Sequence, residues 1–210
     1  MTEIETRRLL VGLAGSLFTR GYSVGSAGNI SVRMPDGYLI TPTNSCLGRL
    51  DPTRLSKLDV DFRHVSGDPP SKEVFMHRAF YTSRKDVGGV VHLHSTMATA
   101  VTCLPDLDPI NPIPPLTPYF VMRVGRRLPI VPYYRPGNPQ MEEAIHNAAR
   151  NARAVLLANH GPVVCGKTLT DAVYAAEELE EAAKLFITLR GVEARLLSPA
   201  QVDDLVATFG

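Results

Sequence analysis

The sequence has almost no net charge and no long hydrophobic run. Its 210 residues contain 22 Lys and Arg against 21 Asp and Glu, for a formal charge of +1. Without a basic excess, the chain has no electrostatic footprint for nucleic acid or for an anionic membrane surface. No apolar run approaches the ~18 residues that a membrane-spanning helix requires. We therefore expect neither nucleic acid nor a membrane among its partners.

Cysteine is also sparse. The three cysteines are an odd number without a CxxC pair, which argues against a disulfide framework and against a cysteine-rich zinc site. The first ten residues, MTEIETRRLL, place acids before the first basic pair and contain no apolar core, unlike a secretion signal. These absences predict a cytoplasmic protein. With 44% apolar and 20% charged residues, 1–210 is expected to form a single domain with a full hydrophobic core.

The predicted secondary structure alternates between helices and hairpins. Periodicity predicts helices over 3–20, 73–83, 95–103, 140–152, 170–191 and 198–208, hairpins over 29–41 and 154–165, and a buried strand over 88–94. Six prolines between residues 105 and 118 predict a long loop. Hairpins favour antiparallel pairing, and no GxGxxG follows a strand to suggest a dinucleotide-binding sheet. The pattern predicts an α/β fold with helices packed on a mixed, largely antiparallel sheet.

His92 and His94 are the most informative pair of residues. Residues i and i+2 of a strand point to the same face, so the HLH run presents two imidazoles together and turns Leu93 to the opposite face. Two imidazoles on one face are half of a site for a borderline metal such as zinc. For an isolated HxH, the alternative is a pair of structural histidines without a metal.

Two further residues can complete such a site. Glu73 stands at the start of a predicted helix, and His160 lies in the turn of the second predicted hairpin. Three histidines and one carboxylate would form a catalytic zinc shell with a displaceable ligand for substrate. Periodicity does not show that these segments converge, so the four-ligand site is a hypothesis.

A second group of residues is small and polar. Three segments carry it, in the runs GSAGNIS (25–31), TPTNS (41–45) and SK (71–72). Small residues let backbone N–H groups and hydroxyls approach a ligand closely, which suits a phosphate oxygen, and Lys72 would add a positive charge. Each segment taken alone is explained equally well by ordinary turn chemistry.

Five motifs follow one another along the chain: GNISVR, ITPT, PSKE, VVHLHS and LLANHGPVVCG. In this order they resemble the class II aldolase and adducin family, which is typified by zinc-dependent enzymes of fuculose phosphate and ribulose phosphate. The resemblance extends from the first predicted helix to the helix near residue 170. It implies a class II aldolase-like, three-layer α/β/α fold. Adducin-type members lack the metal residues that this chain retains, so the resemblance implies an enzyme rather than a binding or scaffold domain.

By position, the resemblance implies a role for each candidate residue. One zinc ion per subunit would be bound by Glu73, His92, His94 and His160. Glu73 would also act as the acid/base once substrate displaces it. The phosphate and substrate pocket would comprise Ser26, Gly28, Asn29, Thr43, Asn44 and Ser71. Family members are typically homotetramers with sites at subunit interfaces, and Tyr119 is the candidate for the tyrosine that a neighbouring subunit contributes.

Three features depart from the sugar-phosphate aldolases of the family. Lys72 replaces the second of two serines before the catalytic glutamate, Asn44 replaces a favoured glycine, and residues 116–139 look unlike the aldolase segment. All three resemble the subgroup that decarboxylates 3-oxo-tetronate 4-phosphates in four-carbon acid-sugar catabolism. The implied products are dihydroxyacetone phosphate and carbon dioxide, and Lys72 would help to admit a phosphorylated acid-sugar substrate with two anionic groups. The alternative is a dihydroxyacetone-phosphate-dependent aldolase that acts on a ketose 1-phosphate.

Other polar residues have simpler interpretations. The cluster Glu177, Glu178, Glu180 and Glu181 is expected to form the solvent-exposed face of the long helix over 170–191. His77 follows Glu73 by one helical turn, and the sequence leaves open whether it lies beside the site or on the surface.

Overall fold

The computed structural model describes residues 1–135 and 138–210, so residues 136 and 137 of the segment 116–139 lie outside the described part. Over the described residues, the helices are α1 (Glu3–Thr19), α2 (Val74–Ser83), α3 (Thr96–Thr102), α4 (Pro118–Arg123), α5 (Gln140–Ala149), α6 (Leu169–Thr188) and α7 (Pro199–Phe209). The strands are β1 (Asn29–Met34), β2 (Gly37–Ile40), β3 (Ser56–Leu58), β4 (His64–Ser66), β5 (Gly89–His92), β6 (Ile130–Val131), β7 (Ala154–Leu157) and β8 (Gly161–Gly166). None of the described helices combines the length and the apolar character needed to cross a membrane.

The eight strands form one sheet in the order β4-β3-β2-β1-β5-β8-β7-β6. Every neighbouring pair is antiparallel except β6 and β7, which are parallel. One core cluster joins the sheet to α1, α3, α4 and α6, and the other joins it to α2 and α5. Leu156 and Leu157 of β7 belong to opposite clusters, as expected for a strand covered on both faces. The structure thus confirms the mixed, largely antiparallel sheet and the three-layer α/β/α arrangement.

Local capping explains where the long helices begin. Thr2 accepts a hydrogen bond from the backbone N–H of Glu5, and the Glu5 side chain accepts one in return from the Thr2 N–H. Thr168 and Asp171 form the same reciprocal capping box at the start of α6. Each such cap contributes about 1 kcal/mol to helix stability. These side chains define the helix starts that the sequence pattern predicts.

The predicted strand over 88–94 is shorter in the structure, because β5 ends at His92. The Leu93 N–H still donates to the carbonyl oxygen of Pro162, and the chain then turns into α3 with Ser95 as the N-cap. The prediction that His94 lies within the strand was therefore wrong. Leu93 is fully buried in the core cluster beneath α3 and α6, as the alternation predicted.

Three adjacent strands meet at one edge of the sheet. Because β1 and β8 are both antiparallel to β5, they begin at the edge where β5 ends. Asn29 pairs with His92 across β1 and β5, and His92 pairs with Val163 across β5 and β8. The β7–β8 turn follows the same edge, since Leu157 pairs with Gly161. Residues from distant parts of the sequence therefore converge at the end of β5.

Gly161 is the tightest point of this edge. Its φ is +151°, and a Cβ added there would lie 2.4 Å from the carbonyl oxygen of Leu93. Gly161→Ala is expected to lower the free energy of unfolding by about 2 kcal/mol, because the backbone between β5 and α3 must shift. Urea denaturation of the metal-free protein measures the change.

Gly12 provides the matched control for this substitution. It lies on the exposed side of α1, where an added Cβ meets nothing within 4 Å. Gly12→Ala is expected to raise the free energy of unfolding by about 1 kcal/mol, since alanine is the better helix former. If both alanine variants stabilise the protein equally, the close approach at Gly161 is not a real constraint.

Candidate active site

Four side chains converge where β5 ends. The Nε2 atom of His94 lies 3.1 Å from Nε2 of His92 and 3.0 Å from Nε2 of His160. The Glu73 carboxylate faces them, with Oε2 at 3.6 Å from His92 Nε2 and Oε1 at 3.5 Å from His160 Nε2. One ligand atom from each residue lies within 4.8 Å of the other three. The structure therefore brings together all four residues that the sequence suggested as metal ligands.

Each of these residues is placed by a different structural element. His92 is the last residue of β5, His94 follows it before α3, His160 lies in the β7–β8 turn, and Glu73 is the N-cap residue of α2. His92 Nδ1 lies 2.9 Å from the carbonyl oxygen of Pro162. A neutral imidazole that donates from Nδ1 to a carbonyl carries its lone pair on Nε2, so His92 presents a metal-ligating atom to the cluster.

The protonation states of the four clustered side chains favour the binding of a cation. Burial lowers the pKa of His92 to about 4, and it also holds the pKa values of His94 and His160 below the usual range. Burial alone raises the pKa of Glu73, but the neighbouring His92 and the Asn29 hydrogen bond outweigh it, so the net pKa is lowered. At neutral pH the cluster is therefore three neutral imidazoles and one carboxylate. That donor set is one that binds divalent transition metals such as zinc.

A cavity of about 370 Å³ opens beside the cluster. Its lining includes three of the four metal-ligand candidates, Glu73, His94 and His160. It also includes every residue predicted for the phosphate and substrate pocket, which are Ser26, Gly28, Asn29, Thr43, Asn44 and Ser71, and it includes Lys72. The three polar segments that the sequence could equally assign to ordinary turns therefore line one cavity.

Backbone contacts hold these segments together. The Thr43 N–H donates to the carbonyl oxygen of Pro69 at 2.9 Å, and the Ser71 N–H donates to that of Thr41 at 3.2 Å. Asn44 has a φ of 55°, a left-handed conformation that asparagine tolerates better than most residues. Asn44 therefore adopts a backbone conformation that glycine also enters readily.

Gly28 is required by a close approach between the first polar segment and β5. Its φ is +81°, and an added Cβ would lie 2.9 Å from the carbonyl oxygen of His92. The segment that precedes β1 thus packs directly against the backbone of a metal-ligand candidate. Any side chain at this position would separate the polar wall of the cavity from the cluster.

Lys72 and Tyr119 occupy different environments. The Lys72 side chain is exposed and lines the cavity. Tyr119 lies on α4, is 59% exposed, and is not among the residues that line the cavity in the described part of the chain. The contribution of Tyr119 to the site therefore stays a prediction that depends on a second subunit.

Comparison with known proteins identifies the family. The sequence model of the Class II Aldolase and Adducin N-terminal domain matches residues 8–187. The chain belongs to this class II aldolase and adducin family.

Individual members of the family differ in their similarity to this chain. The chain is 51% identical over 206 residues to a Haemophilus influenzae protein named 3-oxo-tetronate 4-phosphate decarboxylase, with 98% of each sequence covered. It is 36% identical to the Escherichia coli L-fuculose phosphate aldolase, over 80% of this chain and 76% of that protein. The crystal structure of YgbL from Klebsiella pneumoniae superimposes with a TM-score of 0.94 at 49% identity, covering 98% of this chain and 99% of that one.

The structure also shows buried residues around the class II aldolase site that the sequence did not assign. Asn29 Nδ2 donates to Glu73 Oε2 at 2.7 Å, and Asn29 Oδ1 lies 2.6 Å from His77 Nε2. His77 Nδ1 lies 2.7 Å from Ser31 Oγ, which lies 2.9 Å from the Tyr81 hydroxyl. His77 is 1% exposed, which settles the question that the sequence left open.

The direction of this hydrogen-bonded chain follows from its two ends. Because the Asn29 amide nitrogen donates to Glu73, its oxygen must accept from His77 Nε2–H, and His77 Nδ1 must accept from Ser31.

A spacing pattern in the sequence could have revealed this hydrogen-bonded chain. Residues 29 and 31 share one face of β1, and residues 73, 77 and 81 share one face of α2. Polar residues at these spacings on both faces are the sequence pattern that predicts a buried hydrogen-bonded chain between β1 and α2.

One expectation from the sequence was wrong. Glu180 is 9% exposed and does not belong to a solvent-exposed face of α6. Its carboxylate accepts hydrogen bonds from the backbone N–H groups of Met97 and Ala98 in α3. By contrast, Glu181 is exposed, and Glu177 forms an ion pair with Arg20. Acidic residues at four of the five positions 177–181 concealed one residue on the buried face, because charge alone predicts exposure.

The buried His77 predicts a pH dependence of stability. Burial lowers its pKa from 6.5 to about 3, and the neighbouring His92 acts in the same direction. Between these pH values the unfolded chain binds a proton that the native chain does not. The free energy of unfolding of the metal-free protein should therefore fall as the pH falls from 6.5 towards 3, by up to ~1.4 kcal/mol per pH unit from this residue.

Urea unfolding at several pH values between 7 and 4 measures this slope. His77→Gln should give a shallower slope than the unsubstituted protein, since the titrating group is gone. The exposed His64 of β4 provides the control, and His64→Gln should leave the slope unchanged. Equal slopes for His77→Gln and the unsubstituted protein would contradict a neutral, buried His77.

Proposed function

We propose that this class II aldolase family member is a zinc-dependent lyase that converts 3-oxo-tetronate 4-phosphate to dihydroxyacetone phosphate and carbon dioxide. The observation that carries the proposal is the opening of the His3Glu cluster into a cavity lined by small polar residues and Lys72. A relative that is half identical over nearly the full length of both chains is named for this activity. The relative named as an aldolase is less similar and covers less of the chain.

The metal would be held by Glu73, His92, His94 and His160. Three imidazole nitrogens and one carboxylate favour zinc over magnesium or calcium, which prefer oxygen ligands. Zinc bound there supplies a Lewis acid that stabilises negative charge developing on substrate oxygen atoms. Glu73 is the ligand suited to exchange with substrate, because it alone of the four is a carboxylate at the cavity wall.

The reaction breaks one carbon–carbon bond and consumes one proton. The bond between C1 and C2 of the β-keto acid breaks, C1 leaves as carbon dioxide, and the electron pair is delocalised as an enediolate over C2 and C3. A proton delivered to C2 then gives dihydroxyacetone phosphate. The chain must therefore provide an anion-binding pocket, stabilisation of the enediolate and a proton donor at C2.

Glu73 is the residue placed to deliver the proton. It lines the cavity, and its Oε2 atom is held by the Asn29 amide. Because its pKa is lowered, Glu73 enters the reaction as a carboxylate and takes up the consumed proton from solvent before passing it to C2. The buried chain through His77, Ser31 and Tyr81 orients Asn29 and so keeps the carboxylate directed at the cavity.

The polar wall and Lys72 would bind the anionic groups of the substrate. Ser71 and Thr43 bring hydroxyl groups to the cavity, and Lys72 lies between Ser71 and the proton donor Glu73 in the sequence. The carboxylate loses its charge in the transition state, so a strong cation held against it would oppose the reaction. We therefore assign Lys72 to the phosphate, whose charge does not change.

Three wider features belong to the same proposal. Residues 1–210 act as a single catalytic domain, and the subunits assemble as a homotetramer in which the exposed Tyr119 of one subunit serves the site of a neighbour. A cytoplasmic location is supported by the three cysteines, which are free in the described chain.

A product assay tests the proposed function. Zinc-loaded protein is offered 3-oxo-tetronate 4-phosphate and, separately, a panel of ketose 1-phosphates, and dihydroxyacetone phosphate is measured by its coupled reduction with NADH. We expect product from the acid alone, with one carbon dioxide for each dihydroxyacetone phosphate. Product from a ketose phosphate alone would refute the decarboxylase assignment and establish the aldolase alternative. His94→Ala protein provides the background rate.

Glu73→Gln tests the proton donor. The substitution keeps the shape of the side chain but removes its ability to carry a proton, so turnover should fall at least ~100-fold. Zinc content is measured on the same sample, because Glu73 is also a ligand candidate. Glu143→Gln, on the exposed side of α5, is the matched control and should retain full activity. Near-normal turnover of Glu73→Gln would remove this residue from the mechanism.

A further inference from the structure

The first turn of α3 is capped in an unusual way. In most helices, the N-cap side chain accepts a hydrogen bond from the N–H of the second or third helical residue. Here both donors bind a carboxylate from another helix. The Met97 N–H donates to Glu180 Oε1 at 2.7 Å, and the Ala98 N–H donates to Glu180 Oε2 at 2.8 Å. Both carboxylate oxygens of Glu180 are therefore bonded to the same turn.

The local cap does not take part. Ser95 is the N-cap residue of α3, yet its side chain makes no capping hydrogen bond. Its Oγ atom is the one buried side-chain polar atom without a hydrogen-bond partner among the described residues. An unpaired buried hydroxyl costs about 1–3 kcal/mol. The helix thus gives up an available local cap and uses an acidic residue more than 80 positions away.

A buried carboxylate is also costly. Glu180 is 9% exposed, and within the described chain it forms no ion pair with Lys, Arg or His. Its charge is balanced by two backbone N–H groups and by the positive end of the α3 dipole. Ser95 could cap the first turn of α3, so the helix start does not require the buried charge of Glu180. The interaction instead connects α3 to α6.

That connection passes directly to the metal-ligand candidates. His94 immediately precedes the Ser95 N-cap, so the position of the first turn of α3 determines where the His94 backbone lies. Thr99, also in α3, donates to the carbonyl oxygen of His160 at 3.3 Å. The helix that carries Glu180 packs on β5 and β8, the strands next to His92 and His160. One helix, α6, therefore packs against α3, β5 and β8, the three elements adjacent to the histidines.

We propose that Glu180 is a positioning residue of the metal centre, which fixes the His94 imidazole against His92 and His160 by clamping the first turn of α3. The proposal rests on the metal site of the proposed function but not on its substrate. Without the clamp, the segment from His94 to Met97 can move relative to α6. The distances from His94 Nε2 to the Nε2 atoms of His92 and His160 then increase. The metal-free chain would then bind zinc more weakly.

Zinc affinity of the metal-free protein tests the proposal without a measurement of activity. Zinc is titrated into Glu180→Gln protein in competition with a chromogenic chelator, well below the unfolding temperature. We expect at least ~10-fold weaker binding, the scale for loss of a group that supports a metal ligand. Cobalt(II) in place of zinc should show an altered visible absorption spectrum, because the ligand geometry changes. Glu181→Gln, the same substitution on the exposed neighbour, should match the unsubstituted protein in both measurements.

The outcomes separate a positioning role from a purely structural one. If Glu180→Gln lowers the unfolding temperature but binds zinc and cobalt as Glu181→Gln does, Glu180 only caps a helix and the proposal is overturned. If Glu180→Gln does not fold, the comparison uses Glu180→Asp, which keeps the charge but is too short to reach both N–H groups. Wild-type zinc affinity of a folded Glu180→Asp protein would overturn the proposal equally.

The same titration distinguishes this proposal from the proposed function. An unsubstituted chain that binds no zinc would overturn both, because there would be no metal centre to position. An unsubstituted chain that binds zinc but does not decarboxylate 3-oxo-tetronate 4-phosphate would refute only the activity. Weaker zinc binding by Glu180→Gln would then still support the clamp.

Discussion

The antiparallel pairing of β5 with β1 on one side and β8 on the other is the constraint on which the whole site depends. It places the end of β5 beside the beginnings of two neighbouring strands, so that His92, Asn29 and the turn with His160 meet at one edge. Parallel neighbours would have placed these residues at opposite edges of the sheet. Glycine is required at positions 28 and 161 because the carbonyl oxygens of His92 and Leu93, at and just after the end of β5, leave no room for a Cβ.

Around this edge, the protein buries polar groups and gives almost all of them partners. Asn29 links the Glu73 carboxylate to a chain of neutral donors and acceptors that ends at Tyr81, whose pKa is raised well above its usual value by burial. A histidine kept neutral by burial transmits orientation without adding charge beside the cluster. The carboxylate is therefore held by a hydrogen-bonded network, and it faces the Nε2 atoms of His92 and His160, which lie close to Nε2 of His94.

The cavity combines features shared by the class II aldolase family with residues that depart from the pattern of its sugar-phosphate aldolases. The metal-ligand candidates and the polar wall occupy the same edge of the sheet, so the chemistry of enediolate stabilisation is available to an aldolase and to a decarboxylase alike. Lys72 adds a positive charge at the cavity, whereas Asn44 lines it in a left-handed backbone conformation. A likeness of fold alone therefore does not separate the two activities, and the residues of the cavity wall are the place to look for the difference.

Sequence alone predicted six of the seven helices of the described chain, both hairpins, the four metal-ligand candidates and the polar segments of the cavity, because periodicity and local motifs are read within a few neighbouring residues; it missed α4 and the short strands β3, β4 and β6. It did not determine that the strand stops at His92, that His77 is buried, or that Glu180 faces α3. Each of these depends on contacts between residues far apart in the chain. Only the tertiary structure decides which polar side chains are buried. A buried carboxylate such as that of Glu180 is stable because backbone N–H groups far away in the sequence donate hydrogen bonds to it.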